Sequence, residues 1–148
     1  MATVPSSTGA TFVVDASVAV KWVVAENDAE AALRLLENSR SLCAPAHWLA
    51  EAANALWLAC RRGELSEHQA HERVVALVEA PVATVPLAQL VAAAMTIGLR
   101  LGVTLYDALY LAVAEQQGAA LVTADRRLFE AARRDKDLRA RIRWIADA

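Results

Sequence analysis

Apolar residues along this chain fall into two alternating patterns. Short runs without helical spacing occur at "TFVVD" (Thr11 to Asp15), "SLCAP" (Ser41 to Pro45), "VATV" (Val82 to Val85) and "ALVTA" (Ala120 to Ala124). Their length suits strands buried on both faces. "IRWIA", from Ile142, is a fifth candidate. Helical stretches lie between them. A short helix follows Asp15, with Ser17 as its predicted N-cap. "NDAE" (Asn27 to Glu30) has capping-box spacing and opens a helix to about Ser39. Pro45 is expected to start a helix that runs through Arg61 and stops at Gly63. "SEHQ" (Ser66 to Gln69) caps another, to about Glu79. Pro86 opens a helix to about Leu101, and Gly102 and Thr104 part it from one ending near Gly118. An Arg-rich helix follows Asp125.

Strands separated by helices predict βαβ units, hence an α/β fold: a central parallel sheet of four to five strands with helices on both faces. Residues 80 to 99 carry no charge, but Pro81, Pro86 and Gln89 divide them. A buried strand followed by a buried helix is expected there, not a membrane span. A length of 148 residues fits a single domain. Residues 1–10 read as a flexible N-terminal segment, and "MATVPSSTGA" lacks the basic start of a signal peptide. Isolated Cys43 and Cys60 point to a reduced, cytoplasmic setting.

Composition adds two things. Hydrophobic residues make up 57% of the chain and mean hydropathy is +0.30, which predicts a large core and an apolar face for a partner. Net charge is only −2, yet its distribution is uneven. From Arg126 onward eight Arg or Lys face four Asp or Glu; before that, seven face thirteen. An acidic body with a basic end is compatible with an anionic ligand.

Four carboxylates stand in apolar surroundings. Asp15 is the only charge in the first twenty residues, at the end of a strand, where an unpartnered carboxylate is costly. Glu51 is the only charge between Ser41 and Cys60, and Asp107 the only one between Arg100 and Glu115. Asp125 directly follows the fourth strand and precedes two arginines. Plain structural roles remain open for three of them. Thr104 and Asp107 have capping-box spacing, Asp125 is a favoured N-cap, and Glu51 could pair with a distant arginine. Glu51 has no capping role if its helix starts at Pro45.

Parallel sheets place ligands at the carboxyl ends of their strands, where Asp15 and Asp125 converge. Clustered carboxylates repel one another, and a divalent cation relieves that repulsion. Oxygen donors without Cys favour Mg²⁺ or Mn²⁺, and the matching chemistry is hydrolysis of a phosphate ester by a metal-activated water. Ser17 and Thr123 could steady the carboxylates through hydroxyl hydrogen bonds. Nucleotide cofactors are not expected, since neither GxxxxGK[ST] nor GxGxxG occurs among the five glycines. His47 with Glu51, and His68 with His71, have helical spacing but no third zinc ligand.

The motifs "VVDASVAVKW", "PAHWLAEAANAL", "TLYDALYLAVAE" and "LVTADRRL", in that order, resemble the PIN domains, and the VapC-type toxins among them. The resemblance runs from Thr11 to the last strand. It implies a three-layer PIN-like fold and an Mg²⁺- or Mn²⁺-dependent endoribonuclease. Asp15, Glu51, Asp107 and Asp125 match the family's metal-binding and catalytic acids, Ser17 and Thr123 its supporting hydroxyls, and Asn54 a polar position beside the glutamate. It further implies an RNA substrate, a homodimer, and a small VapB-like antitoxin seated in an apolar groove. Arg127 stands where some relatives carry another acid, so the site is expected to lean on Asp15, Glu51 and Asp107, with Asp125 more peripheral. Arg126, Arg133 and Arg134 are candidate RNA contacts, although Glu130, Asp135 and Asp137 could balance them on a solvated helix.

Three other readings were weighed. A haloacid-dehalogenase-like phosphatase needs a second aspartate two residues after the first, where this chain has Ser17. A stand-alone PIN ribonuclease outside a toxin–antitoxin pair fits the same residues. So does a catalytically silent PIN-like binding module, although all four acids are present.

Overall fold

The computed structural model describes residues 10–148; the expected N-terminal segment lies almost wholly outside the described residues. Five strands form one parallel sheet: β1 (Thr11–Val14), β2 (Ser41–Pro45), β3 (Val82–Val85), β4 (Ala120–Thr123) and β5 (Ile142–Trp144). Their spatial order is β3-β2-β1-β4-β5. The chain builds outward from β1 to β3, then returns across to β4. The order therefore reverses between β1 and β4, the place where such sheets open a crevice.

Alternation along the strands explains the layers. Val13, Cys43 and Leu121 point into one apolar cluster, and Val14, Leu42 and Val122 into another. The larger cluster takes Trp48, Ala52 and Leu56 from α3 (Trp48–Arg61), Leu77 from α4 (Glu67–Val78), Ala94 and Ile97 from α5 (Val91–Leu101), and a run from Ala108 to Ala114 on α6 (Leu105–Gln117). It also takes Leu128 and Ala132 from α7 (Arg126–Arg134). The smaller cluster is closed by Val18 on α1 (Ala16–Ala19), Ala32 and Leu35 on α2 (Ala29–Asn38), and Ile145. Helix α6 is buried almost all round, which is why its apolar residues show no single face.

Most expected boundaries are found. Ser66 and Gln69 form a full capping box, Thr104 caps α6, and Gly102 and Gly118 end α5 and α6 in left-handed conformation. The expected fifth strand is present beside β4.

Five expectations need correction. The N-cap of α1 is Asp15, not Ser17, because the Asp15 carboxylate accepts from the Val18 N–H. No capping box forms at Asn27 to Glu30; Asp28 is the N-cap of α2, with φ 65° and no side-chain bond. Pro45 completes β2 instead of opening a helix, and α3 begins at Trp48, which places Glu51 in its first turn. After Pro86 comes a 3-10 turn, Leu87–Gln89, and only then α5. Residues 80 to 99 are not a buried strand and helix. β3 is an edge strand with Ala83 and Thr84 exposed, and α5 exposes Val91, Met95 and Leu99. The apolar run thus serves two surfaces, burying Val85, Leu90, Ala94 and Ile97 and leaving the rest as an open face.

Among the described residues no single helix is long and apolar enough to cross a membrane. α5 and α6 pass such a test only as a pair bent by 114°.

Core position should dominate mutational cost. Leu111→Ala, at a fully buried site on α6, is expected to cost about 2–5 kcal/mol in urea unfolding. Leu33→Ala, on the exposed side of α2, should cost under about 1 kcal/mol. Equal losses would contradict this placement of the core.

Candidate active site

Asp15 lies one residue past β1, with only 4% of its surface exposed. Its Oδ1 accepts from the Ser17 hydroxyl and from the Val18 N–H, and its Oδ2 from the Thr123 hydroxyl. Each hydroxyl also accepts a backbone N–H: Ala124 N–H donates to Ser17 Oγ at 3.0 Å, and Asp125 N–H to Thr123 Oγ1 at 3.0 Å. Two relays therefore tie the ends of β1 and β4 together through one carboxylate. Burial pushes the Asp15 pKa up to about 6, with a further push from Asp125; the two hydroxyls and the Val18 N–H pull against it.

The other three acids arrive from helix starts. Asp125 is the N-cap of α7, and its Oδ1 accepts from Arg127 N–H at 3.0 Å and Leu128 N–H at 3.3 Å. Its capping role is real, and it uses one of the two oxygens. Asp107 sits in the first turn of α6, and its N–H donates to Thr104 Oγ1 at 3.2 Å. Half-burial raises the Asp107 pKa, as do the charges of Asp125 and Glu51, against a lowering by Thr104 and Arg127. Glu51 accepts at Oε2 from the Tyr110 hydroxyl at 3.0 Å. Its Oε1 is 3.1 Å from His47 Nε2, yet the angle makes no hydrogen bond, and both His47 nitrogens are buried without one. The His47 ring packs against Tyr110 and Tyr106, with centroids 5.0 and 5.9 Å away.

The four acids thus share one electrostatic neighbourhood. Asp15 feels Asp125, and Asp107 feels both Asp125 and Glu51. Asp125 raises the pKa of both Asp15 and Asp107. A cavity of about 330 Å³ beside it is lined by Asp107, Asp125, Thr104, Arg127 and Arg134. Among the described residues no three His, Cys, Asp or Glu are close enough to form a ready-made metal cage. Oxygen donors that repel one another without closing into a cage fit a hard cation that keeps several waters, as Mg²⁺ does.

Ser17 and Thr123 hold the carboxylate as expected, whereas Asn54 is exposed one turn beyond Glu51 with no side-chain hydrogen bond. Arg134 pairs loosely with Glu130 at 4.0 Å, and Arg126 and Arg133 turn toward aromatic rings instead of the cavity. Sequence reasoning missed Tyr110 as the anchor of Glu51. Its signal was helical spacing, since it follows Asp107 by three residues on α6.

A profile for the PIN domain matches residues 12–134. The chain belongs to the PIN-domain family. Relatives of this PIN domain include Ribonuclease VapC3 of Pyrobaculum aerophilum, 37% identical over 121 residues, covering 80% of this chain and 92% of the relative. Ribonuclease VapC3 of Mycobacterium tuberculosis is 35% identical over 127 residues, covering 86% and 91%. Among solved structures, PAE2754 from Pyrobaculum aerophilum superposes with a TM-score of 0.68 at 25% identity, covering 95% of this chain and 93% of that one. VapC20 of Mycobacterium tuberculosis, described as a sarcin–ricin loop cleaving toxin, superposes at 0.60 with 19% identity over 87% and 93%, a likeness of fold alone.

The buried carboxylate should leave a mark on stability. Its folded pKa of about 6 lies above the ordinary aspartate value of 3.8, so protonation favours the fold. Stability is therefore highest below the unfolded value and declines as pH rises through about 6. With a chelator present, Asp15→Asn should gain on wild type by up to roughly 3 kcal/mol between about pH 4 and pH 7. A difference between the two proteins that does not change with pH would refute the assignment.

Proposed function

We propose that this PIN domain is a Mg²⁺- or Mn²⁺-dependent endoribonuclease and the toxin of a VapBC-type pair. The observation that carries the reading is the hydroxyl-held Asp15 carboxylate at the β1–β4 crevice, with Asp125 near enough to raise its pKa and Asp107 in a shared cavity with Asp125. VapC-named ribonucleases among the relatives support it. Asp15, Asp107, Asp125 and Glu51 would hold the cation, which when bound supplies a water activated as nucleophile and positive charge for the phosphate oxygens.

The chain's own groups set the stage for that chemistry. The Ser17 and Thr123 hydroxyls fix the Asp15 carboxylate and favour its ionised form, ready for a cation at neutral pH. Tyr110 keeps one Glu51 oxygen in place and leaves the other free of hydrogen bonds. Arg127, in the cavity with Asp107 and Asp125, offers a guanidinium where the cleaved phosphate would sit. The remaining supports are compositional. The exposed Trp57, Val75 and Val78 on α3 and α4 suit a VapB-like antitoxin, and Val91, Met95 and Leu99 on α5 suit a second copy of the chain. Function in the cytoplasm belongs to the same reading. A stand-alone ribonuclease would share the site and lack the antitoxin.

Purified protein should cleave single-stranded RNA with Mn²⁺ or Mg²⁺ and not with a chelator. Asp15→Asn, purified in parallel, should be inactive, and equal cleavage by that variant would overturn the role of Asp15. Mn²⁺ should raise the melting temperature of the wild type and leave that of Asp15→Asn unmoved. Thr123→Val keeps the side-chain shape and should lower metal affinity by roughly 10–100-fold; unaltered affinity would remove Thr123 from the site's support.

A further inference from the structure

The second arginine-lined hollow lies on the other side of α7. Its volume is about 350 Å³, and Arg133, Arg139 and Arg143 line it together with Phe129 and Trp144. Among the described residues Asp147 is the only acid in its wall. At its rim the Arg126 guanidinium carbon stands 4.1 Å from the centre of the Trp144 ring and 5.9 Å from that of Phe129. Arg133 covers Phe129 at 5.4 Å, and the two rings meet edge to face with centroids 5.6 Å apart.

Three features separate this place from an ordinary solvated helix. Arg126, Phe129 and Arg133 share one face of α7, at spacings of three and four residues. The charge is uncompensated: among the described residues none of Arg126, Arg133, Arg139 and Arg143 forms an ion pair, although α7 carries Glu130. The Arg126 guanidinium carbon lies over the indole at 4.1 Å, a cation–π distance, and Arg126 remains exposed.

The position ties the hollow to the catalytic crevice. Trp144 closes β5 directly opposite Thr123 on β4, one strand spacing from the residue that holds Asp15. Arg126 is the neighbour of Asp125. The two sides of the α7 start thus differ, with Arg127 facing the acids and Arg126 facing the indole.

We infer that the Arg126–Trp144 stack and its arginine-lined hollow form a nucleotide subsite, which binds an unpaired base and adjoining phosphates of the RNA strand next to the cut. The inference rests on the ribonuclease reading and adds to it a place on this chain for one flanking base, free to stack. Guanidinium planes and aromatic rings are the surfaces on which unpaired bases stack, and clustered arginines supply the phosphate contacts. An acidic protein segment would use the charges but not the stack.

The test measures binding to the Asp15→Asn protein, which leaves RNA intact, by fluorescence anisotropy. The probes are labelled oligouridine and a ribose-phosphate strand of equal length without bases. Oligouridine should bind roughly 10-fold more tightly than the strand without bases. Arg126→Lys keeps the charge and loses the plane, so it should abolish that preference and leave the salt dependence unchanged. Arg143→Gln should weaken both probes alike and flatten the salt dependence. Both arginines are exposed, so neither change threatens the fold. Equal binding of the two probes by the parent protein, or an unaltered preference in Arg126→Lys, overturns the subsite. Oligouridine binding that ignores the Arg126 changes while polyglutamate binding is lost assigns the hollow to an acidic protein and likewise overturns it. RNA cleavage by the wild type reports separately on the ribonuclease reading. Cleavage with no effect at Arg126 sinks the subsite alone, whereas no cleavage and no RNA binding sinks both.

Discussion

Everything at this site depends on one buried carboxylate held by two hydroxyls. Asp15 would be costly where it lies if it faced the core alone. Ser17 and Thr123 each donate to it and each accept a backbone N–H from the segment after β4. Those bonds reduce the penalty of burial without removing it, so the carboxylate remains destabilised in the ionised form. They also join the two strands at the reversal point of the sheet. One interaction therefore does two jobs, closing the fold at the crevice and storing unsatisfied negative charge there. A fold optimised for stability alone would have placed a neutral residue at this position.

The other acids are arranged so that their local structural duties leave oxygens free. Asp125 caps α7 with Oδ1. Asp107 donates its N–H to Thr104 in the capping bond. Glu51 uses one oxygen for Tyr110. Structural and chemical roles do not compete at these residues. The cap sets where the carboxylate stands, and the remaining oxygen faces the shared field.

Much of this was legible from residue patterns, for identifiable reasons. Isolated charges in apolar runs marked Asp15, Glu51 and Asp107, because burial makes any retained charge informative. Strand runs bounded by turn residues gave the parallel sheet and its fifth strand. Failures arose where local signals compete with tertiary ones. Ser17 has a good capping side chain, but Asp15 reaches the Val18 N–H first, and the Ser17 hydroxyl goes to the carboxylate and to Ala124. Pro45 is a common helix opener, yet here it is the last residue of β2, in register with Val85, and that shift moved Glu51 from mid-helix to the first turn. The apolar run from 80 to 99 carried no sign that β3 would lie at an edge, since sheet order is not a local property. Helical spacing put Tyr110 on the Asp107 face, but not its partner, because Glu51 is fifty-nine residues away in the chain.

The uneven charge of the chain acquires a physical sense from this arrangement. An acidic crevice repels a polyanion, and a strand of RNA approaching Asp15, Asp107, Asp125 and Glu51 would meet that field unscreened by the low-dielectric wall. The basic residues gathered after Arg126 lie where they can offset it. Arg127 and Arg134 sit in the acid-lined cavity, and Arg133, Arg139 and Arg143 line the hollow across α7. Arg127 shares a cavity with Asp107 and Asp125 and offsets part of their charge, whereas Arg133, Arg139 and Arg143 stand apart from the acids, where they would attract a polyanion. The net charge near zero is thus the sum of two opposed local fields that overlap at Arg127 and part across α7, and such a surface would take up an anion and a cation side by side.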